Sequence, residues 1–394
     1  MNPSELRSAL ALAGIFGLRM LGLFLLLPVF SIHAKDLPGG DQAFFIGLAL
    51  GIFNIVQACF HIPLGRLSDR IGRKKVVLWG LSLFVAGALI CAAKDDLLWI
   101  SIGRGVMGAG AISAAVSAWV ADLTREQVRS QAMALVGASI SLSFAVSLVV
   151  AAPLYRMISL SGMFLVLAIL GAVAMVVAYF VLPNNQPEIH AQQESLKVVF
   201  LRPELMRLNI GVFVLNATQV AMFLVVPRLL EQAGFPLSAH WQIYLSVVLL
   251  SFIFMVPLLI YGEKKQRIRL VLLAAIILLV IAEIIFTQAS SVMLIAVALL
   301  IYFIGFNLLE ALQPSLVTRY AKESKGTALG IYNTTQSIGL FTGAVMGGLL
   351  MDSHGDLSVF VMGAAMLLCW LIIAWSMREL PAKVVDQKDL AAKA

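Results

Sequence analysis

Charged residues and cysteines are both scarce in this chain. Asp, Glu, Lys and Arg make up 12% of the 394 residues, whereas hydrophobic residues make up 61%. Soluble domains typically contain about 45–50% apolar residues, so a water-soluble fold of this length is excluded. The three cysteines, Cys59, Cys91 and Cys369, stand singly in apolar runs and match neither a disulfide framework nor a metal-ligand spacing.

The chain also lacks the residue patterns that enzymes require. It contains no nucleophile–base set, no phosphate-binding loop and no nucleotide motif that would indicate coupling to ATP. An enzymatic activity is therefore not expected, and neither is a bound metal or organic cofactor.

What the chain has instead is a series of apolar runs along its whole length. Each run contains about 20 residues, enough for an α-helix to cross the ~30 Å hydrocarbon core of a lipid bilayer. The runs predict an all-α membrane protein with both termini on the same side. The twelve predicted spans lie near residues 9–31, 44–64, 75–94, 98–120, 130–154, 161–183, 207–231, 240–262, 268–288, 292–315, 325–350 and 356–377.

Lysine and arginine are distributed unevenly between the loops on the two sides of the membrane. The set of loops that includes both termini holds most of the cations, whereas the other set holds only Lys35, Lys94, Arg156 and Arg228. Cytoplasmic loops are enriched in Lys and Arg, so both termini are predicted to be cytoplasmic, in a bacterial inner (plasma) membrane. The net charge of +7 follows from this topology, and a nucleic-acid partner is not expected.

The longest internal polar segment divides the chain into two halves. It predicts an N-terminal six-helix bundle over residues 1–183, a cytoplasmic linker over 184–206, a C-terminal six-helix bundle over 207–377 and a cytoplasmic tail over 378–394.

The two halves carry matching features at a constant offset of 194 residues. The offset places Pro63 on Pro257, Asp69 on Glu263, Arg73 on Arg267 and Thr124-Arg125 on Thr318-Arg319. One offset fits two separate loops, which favours an internal repeat, although loops that follow amphiphilic spans also resemble one another without a repeat. Parallel repeats of six spans are typical of transporters with a binding site between two bundles.

Five cations and one acid fall between the second and third spans, in the stretch GRLSDRIGRKK at residues 65–75. Its glycines, Asp69 and the basic residues after it resemble the signature loop of the major facilitator superfamily. With "LRMLGLFLLLPV" in the first span and "DLTREQ" after the fourth, the chain resembles the YajR-like branch of the proton-coupled drug efflux proteins. The resemblance covers nearly the whole chain. It implies two pseudo-symmetric six-helix bundles, a small-molecule substrate, protons as the coupling ion and a monomer.

The signature loop is expected to act as a latch between the halves. In relatives, the motif aspartate faces the start of the eleventh span, and a nearby arginine contacts an acid after the fourth span. The resemblance therefore implies that Asp69 engages the positive end of the helix that begins at Lys325-Gly326. It also implies that Arg73 pairs with Asp122. The alternative is that the cluster only fixes the topology by its charge.

The remaining residues of the loop have simpler expected roles. Gly65 and Gly72 allow a tight turn and a close helix contact, because neither carries a Cβ. For Arg70, Lys74 and Lys75, fixing the topology by charge is the preferred interpretation.

Four ionisable residues interrupt apolar spans: Arg19 in the first, Arg104 in the fourth, Glu283 in the ninth and Glu310 in the tenth. An arginine at a helix centre costs at least ~2.5 kcal/mol in hydrocarbon, so each residue should face a cavity or a partner. In the family, the first, fourth, seventh and tenth spans line the central path. Arg19, Arg104 and Glu310 are thus candidates for that path. For Glu283 two interpretations stay open: an acid at the membrane interface, or an acid with a role in function.

Glu310 is the preferred proton carrier. Burial raises the pKa of a carboxyl and a nearby arginine lowers it, so opening and closing a cavity could load and release a proton. The alternative is a glutamate held permanently by a structural arginine. Arg104 opens the stretch RGVMGAGA, which resembles the fourth-span motif of the family. Because arginine stays protonated, it would tune a carboxyl or hold an anion.

Amide side chains supply further polar lining. The candidates for the substrate cavity, together with Arg19, are Asn54, Gln57, Asn216, Gln219, Asn307, Asn333 and Gln336. Asn216 and Gln219 are the preferred substrate contacts because they lie on the seventh span. The other amides are expected to form hydrogen bonds between helices, each of which stabilises helix packing by ~0.6 kcal/mol. His61, near the end of the second span, is interpreted as an interfacial residue.

The fifth span departs from the pattern of efflux proteins. Those proteins usually have Gly-Pro there, whereas this chain has Ala152 before Pro153. The leading interpretation remains a proton-coupled transporter that exports small amphipathic or organic solutes by alternating access. One alternative is an uptake symporter or facilitator for an organic anion held by Arg19 and Arg104. An alternative of another class is a non-transporting receptor or assembly factor.

Overall fold

The structure is a computed structural model that describes residues 1–183, 196–265, 267–321 and 325–377. No strand occurs in these residues. Its helices are α1 (Pro3–Phe24), α2 (Leu27–His33), α3 (Ala43–Ile71), α4 (Arg73–Ala93), α5 (Leu97–Ala109), α6 (Ser113–Leu123), α7 (Glu126–Phe180), α8 (Leu196–Phe200), α9 (Pro203–Gln232), α10 (His240–Lys264), α11 (Ile268–Thr287), α12 (Val292–Ala321), α13 (Lys325–His354) and α14 (Asp356–Trp375).

The helices account for the twelve predicted spans. Within the described residues, ten segments are long and apolar enough to cross a membrane by length and composition. One of them, Leu135–Phe180, is two spans, because Ser159 in α7 has left-handed φ and extended ψ (60° and 179°) and breaks the helix. The helix α13, with 30 residues, supplies the remaining span. The predicted all-α membrane fold is thus confirmed.

Two spans are interrupted within the protein interior. The first span breaks at Leu25-Leu26, between α1 and α2, just before Pro28. The fourth breaks at residues 110–112, between α5 and α6. Gly110 lies so close to α4 that a Cβ on it would come within 2.3 Å of the Gly80 carbonyl oxygen. Non-helical backbone at membrane depth is tolerated where protein surrounds it.

The two halves meet along α3 and α13, with further contact between α7 and α10. Glycines allow α3 and α13 to approach closely. A Cβ on Gly47 would come within 2.1 Å of the Ala344 carbonyl oxygen, and one on Gly348 within 2.4 Å of the Ala43 carbonyl oxygen. Any larger residue at either position would force the two helices apart.

The two ends of the helices define two faces of the molecule. The basic face carries Glu5, Arg73, Asp122 and Arg125, and the opposite face carries Lys35, Asp352 and Asp356. Which face is cytoplasmic stays a prediction.

The halves are closed against each other toward the opposite face. There α2 packs on α9, and Phe144 of α7 lies with its ring centroid 6.2 Å from that of Phe223 and 5.7 Å from that of Phe303. The larger apolar core includes residues of both halves. A second core, which includes Leu12 and Trp119, is formed by first-half residues alone.

Part of the predicted linker and all of the predicted tail lie outside the described residues. Of the predicted linker, residues 184–195 lie outside the described residues, and the rest forms α8 and the start of α9 at Pro203. The predicted tail at 378–394 also lies outside them. The division into two bundles at this point stays a prediction.

Candidate functional site

The signature loop at residues 65–75 connects α3 to α4 through a single residue. That residue is Gly72, whose φ of 98° is in the left-handed region where glycine is favoured. Gly65 lies within α3, and a Cβ on it would be 3.4 Å from the Ala114 Cβ. The tight turn therefore depends on Gly72, whereas Gly65 serves only close helix contact.

Arg73 makes the contact that the resemblance implied. Its Nε donates to Asp122 Oδ2 at 3.1 Å, and its Nη1 donates to Ser68 Oγ at 2.6 Å. The second predicted contact of the latch joins Asp69 to the helix start at Lys325-Gly326. The side-chain surroundings of these residues lie outside what the structure describes. The contact of Asp69 with the second half therefore stays a prediction.

Two more basic residues of the first half have defined partners. Lys74 Nζ donates to the carbonyl oxygens of Tyr179 and Leu182, at 2.6 and 2.8 Å. These carbonyls are at the end of α7, where cations stabilise a helix, so Lys74 does more than fix topology. Arg125 Nε donates to Glu5 Oε1 at 2.9 Å, and this carboxylate raises the pKa of Arg125. Arg70 is exposed.

A polar cluster lies inside the first half around Arg19. Arg19 Nη1 donates to Ser113 Oγ at 2.8 Å, at the start of α6. With the Gln57 amide oriented so that its oxygen faces donors, that oxygen accepts from Arg19 Nη2 at 3.2 Å and from His61 Nε2 at 3.1 Å. His61 is only 4% exposed, so its interpretation as an interfacial residue is wrong.

Arg104 and Arg19 both lie close to the ring of Phe53. Its Nε and Nη2 donate to the carbonyl oxygens of Ala49 and Leu50, at 2.7 and 2.9 Å. The Phe53 ring centroid is 5.5 Å from the Arg104 Cζ and 5.8 Å from the Arg19 Cζ.

Both guanidinium groups are buried without a carboxylate. Arg19 is 2% exposed and Arg104 is 1% exposed. Arg19 Nε and Arg104 Nη1 have no hydrogen-bond partner in the structure, and among the described residues no carboxylate pairs with either side chain. The first half thus holds two uncompensated positive charges, which an anion could neutralise.

A second polar cluster surrounds Glu310 in the other half. Asn216 Nδ2 donates to Glu310 Oε1 at 3.4 Å, and Gln336 Nε2 donates to Asn216 Oδ1 at 3.3 Å. In the part of the chain that is described, no arginine bonds to this carboxylate. The predicted arginine partner of Glu310 is therefore not seen in this conformation.

The two clusters meet at the interface between the halves. His61 Nε2 lies 3.4 Å from Ser337 Oγ, and Ser337 follows Gln336 along α13. Polar side chains thus extend from Arg19 through His61 to α13, and from there to Glu310. His61 follows Gln57 by one turn of α3, so the two side chains lie on the same face of that helix. This spacing is the feature of the sequence that could have placed His61 in the cluster.

The remaining candidates have other surroundings. Asn307 Nδ2 donates to Ser251 Oγ of α10 at 2.9 Å, and its place in the substrate cavity stays a prediction. Asn54 bonds to the Leu50 carbonyl oxygen of its own helix. Gln219 is buried in α9 and Asn333 is half-buried in α13.

Glu283 is enclosed between α11 and α14. It is 1% exposed, and its Cδ is 2.8 Å from the place where a Cβ on Gly363 would be. No described residue donates a hydrogen bond to its Oε2. An interfacial acid would reach water, so that alternative does not fit. In the described part of the chain, no hydrogen bond connects Glu283 to Glu310.

This architecture is that of an integral membrane transporter: two sets of spans that meet around buried polar groups. A family model described as Major Facilitator Superfamily matches residues 12–344, and the chain belongs to this superfamily. Its members are transporters and not enzymes, which confirms the expectation that the chain has no enzymatic activity.

Individual relatives agree with this assignment. Inner membrane transport protein YajR of Escherichia coli (strain K12) is 38% identical over 388 residues, which cover 97% of this chain and 85% of YajR. Multidrug resistance protein MdtH of Proteus mirabilis (strain HI4320) is 25% identical over 345 residues, 84% of each chain. The crystal structure of the human organic anion transporter MFSD10 (TETRAN) has the same fold, with a TM-score of 0.70 at 18% identity, covering 95% of this chain and 100% of that one. The resemblance to YajR-like proteins is confirmed.

Proposed function

We propose that this protein is a proton-coupled secondary transporter that exports small amphipathic or organic solutes by alternating access. In this proposal it acts as a monomer in the bacterial inner membrane, with cytoplasmic termini and with the proton gradient as its energy source. Its family membership and its similarity to YajR support transport. The description of the more distant MdtH as a multidrug resistance protein supports export.

The observation that carries the proposal is the setting of Glu310. Its carboxylate accepts a long hydrogen bond from Asn216, and within the described residues no cation pairs with it. A carboxylate that is partly shielded from water and has no cation nearby is costly, and uptake of a proton removes that cost. Glu310 is half-buried beside the interface of the halves. A movement of the halves can therefore expose it to one side of the membrane and then to the other.

Purified protein in vesicles with an imposed pH gradient tests the role of Glu310. We expect wild-type protein to move a lipophilic cationic dye against its gradient while protons flow in the other direction. The substitution Glu310→Gln should reduce this movement to the level of protein-free vesicles, because the amide takes up no proton. Glu204→Gln is the matched control, since Glu204 lies at the start of α9, where its Oε1 is 3.8 Å from Arg207 Nη1. Dye movement that survives Glu310→Gln would remove the proton assignment.

A second candidate keeps the fold and takes an organic anion as substrate, by symport or facilitated uptake. The uncompensated guanidinium groups of Arg19 and Arg104 favour it. MFSD10, which has the same fold, is an organic anion transporter. The same vesicles discriminate the candidates: movement of fluorescein, but not of the cationic dye, in the direction of proton flow would favour uptake of an anion over export.

A further inference from the structure

The first amides of α3 are capped by a residue from the other half of the molecule. Free N–H groups at a helix start need an acceptor, and this is usually the side chain of the N-cap residue. Here the N-cap residue is Gln42, whose side chain makes no capping hydrogen bond. Instead Asp352 Oδ1 accepts from the Ala43 N–H at 2.8 Å, and Asp352 Oδ2 accepts from the Phe44 N–H at 2.6 Å.

The close approach of the two helices makes this contact possible. Asp352 is near the end of α13, and Gly348 lies one turn before it on the same side. A Cβ on Gly348 would be 2.4 Å from the Ala43 carbonyl oxygen and 3.0 Å from the Phe44 Cα. The missing side chain therefore lets the end of α13 lie directly on the start of α3.

The contact is electrostatically favourable and joins the two halves. The start of a helix carries a partial positive charge, and a carboxylate there is stabilised. Both oxygens are used, in hydrogen bonds that are short because the acceptor is charged. Another acid of the second half on this face, Asp356, accepts from Arg228 Nη1 at 3.0 Å, and this ion pair lies within the second half. It does not hold the halves together.

We propose that Asp352 is a positioning residue for the transport cycle and that its carboxylate latches the opposite face closed by capping α3. When the opposite face opens, α13 and α3 separate there, and the cap is lost. The latch is reciprocal to the one that the signature loop predicts at the basic face. There the end of α3, at Asp69, would cap the start of α13. One pair of helices thus carries an acid at each end, and the two acids would engage in alternate states.

Distances between spin labels on the opposite face test this latch in the full-length protein. Labels at Met157→Cys in the first half and Ser290→Cys in the second occupy exposed sites, with the three native cysteines changed to serine. In otherwise wild-type protein we expect the short, closed distance to dominate. Asp352→Asn removes the negative charge and one of the two acceptor oxygens, and should increase the ratio of open to closed protein by roughly 2- to 5-fold, which corresponds to about 0.3–1 kcal/mol for a carboxylate at an exposed helix start.

Asp95→Asn is the matched control. Asp95 is an acid of the same face that accepts a hydrogen bond from Ser161 within the first half, so its loss should leave the distances unchanged. Asp352→Glu keeps the charge and both acceptor oxygens, so its closed population should be larger than that of Asp352→Asn. The latch is refuted if Asp352→Asn leaves the distances at the wild-type values, or if Asp95→Asn opens the face equally.

The inference rests on the proposed alternating access, but its test does not depend on protons or substrate. Inactive vesicles with a normal response to Asp352→Asn would refute only the proposed coupling and substrate. Active vesicles with no response to Asp352→Asn would refute only the latch.

Discussion

At the scale of single residues, the molecule buries the guanidinium groups of Arg19 and Arg104, and no carboxylate of the described residues pairs with either. Arg19 and Arg104 bond mainly to a hydroxyl, an amide and backbone carbonyls. Neutral acceptors satisfy the N–H donors of a guanidinium but leave its charge in place. Such an arrangement is costly for folding, and it is useful only if another group brings the missing negative charge.

His33, at the opposite face, is a half-buried residue whose protonation can be tested. Its ring stacks on Tyr155 with centroids 3.5 Å apart, and its Nε2 has no hydrogen-bond partner among the described residues. Burial lowers the pKa of His33 below its usual value of 6.5, and Asp36 opposes the shift only in part. The neutral ring is therefore the form that the closed face accommodates.

The sign of the pH dependence follows from this lowered pKa. The unfolded chain binds the proton of His33 more tightly than the folded protein does, so stability is lost as the pH falls below about 6.5. Thermal unfolding at pH values on either side of 6.5 should show a smaller loss of stability for His33→Gln than for wild type. His354→Gln, an exposed histidine of the same face, should keep the wild-type loss. Equal losses in all three proteins would contradict the account of His33.

Sequence reasoning identified most of these residues but not their partners. Arg19, Gln57 and Glu310 stand out because polar residues are rare in apolar spans. Their contacts depend on the rotation of each helix, which a sequence with apolar residues on all sides does not fix. His61 was misplaced for this reason, since only the packing of α3 on α13 turns it toward Ser337.

At the scale of helices, the crossing of α3 and α13 depends on glycines that the residue pattern did not single out. Gly348→Ala would place a Cβ 2.4 Å from the Ala43 carbonyl oxygen, an atom of the backbone that cannot rotate away. We expect a loss of about 1–3 kcal/mol, as for other overpacked sites, measured by thermal unfolding in detergent.

The same helix offers a matched control. Gly330 also lies in α13, and a Cβ on it would meet no atom within 4 Å. Gly330→Ala should therefore be neutral or stabilise the helix by up to about 1 kcal/mol. Equal destabilisation by both substitutions would mean that the close contact of α3 and α13 does not determine the effect.

Helix breaks were also beyond sequence reasoning. Apolar length predicted each span, but the interruption at residues 110–112 depends on how Gly110 and Gly108 pack. A Cβ on Gly108 would be 2.3 Å from the Phe53 carbonyl oxygen, so the neighbouring helix shapes this region. The same break places Ser113 at a helix start, beside Arg19.

At the scale of the whole molecule, the apolar core explains why the structure is closed on one side. The core shared by both halves includes Phe144 and Phe303, toward the opposite face, whereas the second core belongs to the first half alone. The all-α membrane fold and the ionisable residues within its spans were predicted from the sequence. The state of closure was not, because two packings of one sequence that differ by a few kcal/mol leave the same apolar pattern.

The most direct test of the central claim measures both faces of the same protein. One pair of spin labels at Met157→Cys and Ser290→Cys reports on the opposite face, and a second pair at Lys75→Cys and Arg267→Cys, both exposed sites, reports on the basic face. As the pH is lowered or a transported dye is added, alternating access predicts that the distance lengthens at one face and shortens at the other. Distances that change in the same direction at both faces, or at neither, would contradict it.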